Sequence, residues 1–320
     1  MVIRSRRLSR SFFVALVVLI APVHAAAERI EAVIQAGHSD AIRAIAFSPD
    51  GTLLASAGVD ETVRLTAVDT RREIAALRGD PGPVHSIAFS PDGAILASAS
   101  TRTQFRGFGR ITLWNVSTRT VLRHIPANVR DSGHVAFSPD GTLLASGTNG
   151  DTDLTLWDVA TGKKLRTLLV SGGVRSLAFS PYGKLLAAGT GSMVSGRDAA
   201  AVLLDVQTGR LLDMAMKAMT EVVAVAFSPD GKHLAFDAGS AVGLWEIATR
   251  NVQFRNVRHH VTALAFSGDG ETLAVAIAPR PSTIRVPTPP SWFSPPVPLV
   301  REWPTSSLSA STATPIRITI

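Results

Sequence analysis

Apolar and polar positions alternate in short bursts along this chain, and the bursts recur. Before and within residues 46–58, AFSPDGTLLASAG, the run Ile45-Ala46-Phe47 puts large side chains on one side and alanine on the other, breaks at Ser-Pro-Asp-Gly, and gives way to a second run at Leu53-Leu54-Ala55-Ser56. Alternation with period two predicts strands. The break supplies turn chemistry, because proline presets φ, aspartate tolerates the next position, and glycine accepts the left-handed return. Each burst is therefore a predicted hairpin. Copies begin at Ala88 (AFSPDGAILASAS), Ala136 (AFSPDGTLLASGT), Ala178 (AFSPYGKLLAAGT), Ala226 (AFSPDGKHLAFDA) and Ala265 (AFSGDGETLAVAI).

The phenylalanines that mark the copies are Phe47, Phe89, Phe137, Phe179, Phe227 and Phe266, in steps of 42, 48, 42, 48 and 39 residues. That period is too short for a domain and fits one four-stranded unit, which must stack on neighbours to bury both of its faces. A third strand recurs at Thr62–Leu65, Ile111–Trp114, Leu154–Asp158, Val202–Asp205 and Val242–Glu246. A fourth follows, for example at Lys164–Leu168 and Arg210–Asp213.

With Trp157-Asp158 closing a third strand, these units resemble WD repeats (WD40), and the chain is similar to members of that β-propeller family over about residues 30–286. The resemblance implies an all-β propeller of six four-stranded blades, seven being the alternative. It also implies a hydrogen-bonded tetrad of histidine, serine, aspartate and tryptophan in each blade. The first copy has Gly37-His38, Ser56 and Asp60 but Thr66 at the tryptophan position. The third has Ser146 and Trp157 without the histidine, and the fourth has Leu204 for the tryptophan. Apolar packing between blades is therefore expected to supply most of the stability. In the family the first strand completes the last blade, a role that Arg29–Gln35 is placed to fill, and closure removes aggregation-prone edges.

Composition changes the picture at the two ends. Arg4, Arg6, Arg7 and Arg10 precede the apolar run Phe12–Ile20 and the small residues Ala25–Ala27, so residues 1–27 are expected to be a secretory signal peptide. Either the general or the twin-arginine export route is open. The expected destination is the bacterial periplasm or the exterior, with no membrane span after cleavage. Residues 28–286 would form the propeller. Residues 287–320 would be a Pro/Ser/Thr-rich tail or a degenerate last blade, since ten of the 19 prolines lie in residues 279–320. Ser282–Val286 resembles a third strand for the last blade.

Setting residues 1–27 aside removes four of 32 basic and none of 25 acidic residues, leaving a net charge of +3. So mild a charge does not call for nucleic acid. The sequence has no cysteine, which excludes disulfides and thiolate metal sites. It carries no G-x-S-x-G, H-E-x-x-H or G-x-x-x-x-G-K signature. Met214, Met216 and Met219 fill space more readily than they bind copper, and the stretch Asn149–Asp153 lacks the glycine and glutamate of a calcium loop. No enzyme activity, cofactor or metal is expected.

What is left is a binding surface. Arg102, Phe105, Arg106, Phe108 and Arg110 interleave cations and aromatics in an extension between two strands, a composition suited to recognition. Arg43, His85 and Arg175 start first strands, which the resemblance places at the rim of a central channel. The expected function is a monomeric, non-enzymatic scaffold for a protein or peptide partner of acidic character. The rivals are an envelope propeller like that of the Tol system and a propeller-based hydrolase or lactonase.

Overall fold

In the computed structural model, the described residues are 37–80, 82–101, 109–129, 133–148, 153–191, 199–218, 221–257, 259–278 and 316–319. All the regular elements among them are strands. The first sheet is β1 (Ile42–Phe47), β2 (Leu53–Gly58), β3 (Thr62–Ala67) and β4 (Glu73–Arg78). The second is β5 (Val84–Phe89), β6 (Ile95–Ser100), β7 (Gly109–Asn115) and β8 (Thr120–Val129), and the third is β9 (Gly133–Phe137), β10 (Leu143–Thr148), β11 (Asp153–Asp158) and β12 (Lys164–Leu169). The fourth is β13 (Gly173–Phe179), β14 (Leu185–Gly191), β15 (Ala199–Asp205) and β16 (Leu211–Ala218). The fifth is β17 (Val225–Phe227), β18 (His233–Asp237), β19 (Ala241–Glu246) and β20 (Asn251–Asn256). Each is an antiparallel meander in sequence order.

The last sheet has three strands: β21 (His260–Phe266), β22 (Thr272–Ala278) and β23 (Ile316–Thr319). The backbone of Ile316–Thr319 thus occupies the third-strand position, pairing Leu273 with Ile318. Ser282–Val286, read from sequence for that position, lies outside the described residues, as do residues 1–27 and Arg29–Gln35.

The repeated turn works as its chemistry requires. Ser48 Oγ donates to Asp50 at 2.5 Å, the Thr52 N–H donates to the same carboxylate at 3.0 Å, and Gly51 returns the chain at φ 71°. The turns also touch one another. Pro49 Cδ lies 3.5 Å from where a Cβ on Gly93 would be, and the same contact recurs from Pro91 to Gly141, Pro139 to Gly183, Pro181 to Gly231 and Pro229 to Gly270. First strands follow suit: β1 packs beside β5, β5 beside β9, β9 beside β13, β13 beside β17, and β17 beside β21. Ser86 and Ser176 fasten this inner row by accepting from the N–H groups of Val135 and Val225 in the next sheets.

The core is divided between sheets rather than within them. One cluster joins Leu65 and Leu77 to Val84, Leu96 and Trp114; the next joins Ile111, Leu113 and Ile125 to Val135, Leu144 and Trp157. Three more link the third to the fourth, the fourth to the fifth and the fifth to the last sheet. Each sheet buries what its neighbour exposes, the property of stacked repeats.

Candidate functional site

A β-bulge recurs near the start of the first strand. The register slips between Ile42 and Ala44, Val84 and Ser86, Val174 and Ser176, and Val261 and Ala263. The extra residues are Arg43, His85, Arg175 and Thr262. A bulge re-aims its side chain out of the alternating pattern. In this way three residues singled out from sequence occupy one equivalent position, at the same end of the first, second and fourth inner strands.

Their surroundings differ. Arg43 is exposed. His85 is half-buried, its Nε2 3.0 Å from Thr101 Oγ1. The Arg175 guanidinium is paired with Glu221, at the head of the fifth sheet. Gly191 makes room for that pair, since a Cβ there would stand 2.7 Å from the Glu221 side chain.

His134 adds a residue that sequence reasoning missed. It follows Gly133, which holds the bulge register in the third copy, but here the strand pairs without a slip and His134 lies opposite Gly147. Its side chain keeps some accessible surface, yet the protein packed around the imidazole penalises the charged form. That desolvation, with the positive charges of Arg175 and His85 added, depresses its pKa to about 4. Arg175 and His85 thus act on one imidazole. At neutral pH His134 is therefore uncharged, and the charge at this end of the strands is that of the exposed Arg43 and of Arg175 in its pair with Glu221.

The aromatic-basic extension is only partly visible. Arg102, Phe105, Arg106 and Phe108 lie outside the described residues. Arg110 belongs to β7, which begins earlier than the pattern indicates, and its guanidinium donates to the Gly79 carbonyl. It lies close enough to Asp80 to favour the ionised carboxylate.

The polar networks extend to one sheet that sequence reading passed over. In the first sheet, His38 Nδ1 donates to Asp60 at 2.8 Å and Nε2 lies 2.9 Å from Ser56 Oγ. Burial opposes ionisation of Asp60, but hydrogen bonds from His38, Thr62 and the Ser39 N–H hold its carboxyl below the usual range. In the third, Trp157 Nε1 donates to Ser146 Oγ at 2.8 Å. In the second, Asp80 stands where the histidine would. Ser98 and Thr112 each donate to it at 2.7 Å, Ser100 at 3.3 Å, and Trp114 Nε1 donates to Ser98 at 2.9 Å. Burial raises the Asp80 pKa against those bonds. Setting Phe89 on Phe47 superposes Gly79-Asp80 on Gly37-His38, a signal present in the sequence.

Among the described residues no group of three or more His, Cys, Asp or Glu side chains could hold a metal ion. Met214 is exposed on β16, and the side chains of Met216 and Met219 lie outside the described residues. No helix among the described residues is long and apolar enough to cross a membrane.

The fold is that of an all-β, repeat-built, propeller-like protein. In agreement, the family model for the WD domain, G-beta repeat, matches residues 31–66, 71–103, 120–158 and 162–196. No curated protein matches the chain. Among solved structures, it is similar to a chain of Kuenenia stuttgartiensis hydrazine synthase, with a TM-score of 0.65 and 19% identity over 73% of this chain and 72% of that chain. At that identity the likeness is one of fold.

Proposed function

We propose that this chain is an exported bacterial WD-repeat propeller that binds a protein or peptide partner and performs no chemistry of its own. The recurring bulge carries the reading. It presents Arg43, His85 and Arg175 from one end of three inner strands, as a rigid scaffold presents a recognition surface. Because the strands are fixed by stacking, binding costs the receptor little ordering entropy. An acidic segment of the partner suits the guanidinium charge. The working form is a six-bladed monomer in the periplasm or outside the cell.

Replacing Arg43, His85 and Arg175 together by alanine tests the reading. Capture from an envelope fraction should fall at least about tenfold while the circular dichroism is unchanged, a loss in keeping with removal of anchor residues. Capture that equals the wild type would remove this face from the account.

A further inference from the structure

The other end of the inner strands carries the Ser-Pro-Asp-Gly turns; the last has Gly268 for the proline, and the fourth alone lacks the aspartate. In five copies the third residue is Asp50, Asp92, Asp140, Asp230 or Asp269, and each accepts from the turn serine at 2.5–2.6 Å and from a backbone N–H at 3.0 Å. In the fourth copy the residue is Tyr182. The turn keeps its shape, with Gly183 at φ 70° and the Leu185 N–H on Ser180 Oγ at 3.0 Å, but both bonds to an aspartate are given up. In their place stands an aromatic ring that is 74% exposed. A position that abandons a local stabilising device and gains no burial is where function is expected to override folding.

Tyr182 also lines a groove of about 700 Å³ between the third and fourth sheets. The corresponding groove between the first and second sheets is about 360 Å³. At matching places the smaller groove has Asp92, Ala94, Asn115 and Ser117, and the larger has Tyr182, Lys184, Asp205 and Gln207. Every exchange but one lengthens the side chain, and Ala94 to Lys184 adds hydrogen-bonding capacity outright. Asp140 lies across the groove. Hydrogen bonds from Ser138 and Thr142 hold Asp140, and from Thr208 hold Asp205, below the usual carboxylate range, so both are permanent acceptors.

We propose that this groove binds a saccharide, a neutral or N-acetylated pyranose oligomer. A pyranose has one face of C–H bonds, which stacks on an aromatic ring with its electron-rich face. Its rim of hydroxyls both donates and accepts, matching the two carboxylates, the Gln207 amide and the Lys184 ammonium. A flat apolar ligand would leave the Gln207 amide and the Lys184 ammonium without a partner from it, and an acidic one would meet the carboxylates of Asp140 and Asp205 at the lining. The groove lies at the end of the inner strands away from Arg43, His85 and Arg175, so this site and the partner-binding rim stand or fall separately.

The test is an array of glucose-, galactose- and N-acetylglucosamine-based oligosaccharides probed with the full chain, followed by calorimetric titration of the best binder. Tyr182→Asp, which restores the turn of the other copies, should weaken binding at least about tenfold while the melting temperature stays level or rises. Tyr182→Trp should retain binding, and the triple alanine variant of the rim should bind the saccharide like the wild type. Failure of every oligosaccharide to bind, or wild-type affinity in Tyr182→Asp, would overturn the proposal.

Discussion

Gly147 on β10 faces the neighbouring sheet so closely that the contact can be tested with a single methyl group. A Cβ there would lie 2.6–2.7 Å from three carbons of Val174, a residue with no accessible surface. Carbon atoms settle near 3.5–4.0 Å, so Gly147→Ala must drive the third and fourth sheets apart or force Val174 off its rotamer. Overpacking of this kind costs about 1–3 kcal/mol. Val174→Ala alone removes two buried methyls, about 1.6 kcal/mol of transfer free energy before any cavity term. Combined, the new methyl occupies the space the valine leaves, and the double variant should be more stable than the sum of the singles by about 1–2 kcal/mol. Guanidinium unfolding of the four proteins, followed by tryptophan fluorescence, measures the cycle. A Gly147→Ala protein within about 0.5 kcal/mol of wild type, or strictly additive effects, would refute the packing of one sheet directly on the next.

Asp237, 3% exposed, accepts from the N–H groups of Gly239 at 2.7 Å and Val223 at 3.3 Å, and burial nevertheless pushes its pKa up to about 7. A carboxyl raised on folding contributes stability that is full below its unfolded pKa and lost as pH rises through the folded value. Stability should therefore fall between pH 4 and 8, and Asp237→Asn should flatten that slope and be the more stable form at pH 8 by about 1–2 kcal/mol, discounted from the full shift. Urea unfolding across this range checks it, and an identical slope in the variant would count against the assignment. Asp80→Ala should cost about 2–4 kcal/mol, because the buried hydroxyls of Ser98, Ser100 and Thr112 lose their common acceptor; calorimetric melting of the variant reads the loss.

Much of the fold was legible because its punctuation is local. Serine and glycine at fixed offsets after each phenylalanine, with proline and aspartate between them in four of the six copies, define the hairpin, and every third strand expected between Thr62 and Glu246 forms. The third strand of the last sheet was not legible. Ile316–Thr319 is paired with β22 across 37 intervening residues, and no short-range pattern encodes a partner that distant. The tetrad of the second sheet was hidden for a different reason: the family pattern has histidine at that place, whereas here a buried aspartate gathers the equivalent hydroxyls. His134 escaped because Gly133 holds the place of His85 and Arg175 in its copy, and the histidine comes one residue later in a strand without the bulge. Tyr182 was visible as a break in the repeat, but its meaning needed the groove beside it.

The account depends on the six sheets being arranged around an axis, with the first beside the last. A chain without native cysteines allows this to be measured by spin labels at equivalent exposed turn positions, Thr52 in the first sheet, Ala94 in the second, Lys184 in the fourth and Glu271 in the last. A closed ring predicts that the Thr52–Glu271 distance matches the Thr52–Ala94 distance and is shorter than Thr52–Lys184. A Thr52–Glu271 distance longer than Thr52–Lys184 would mean an open array, and would contradict the account.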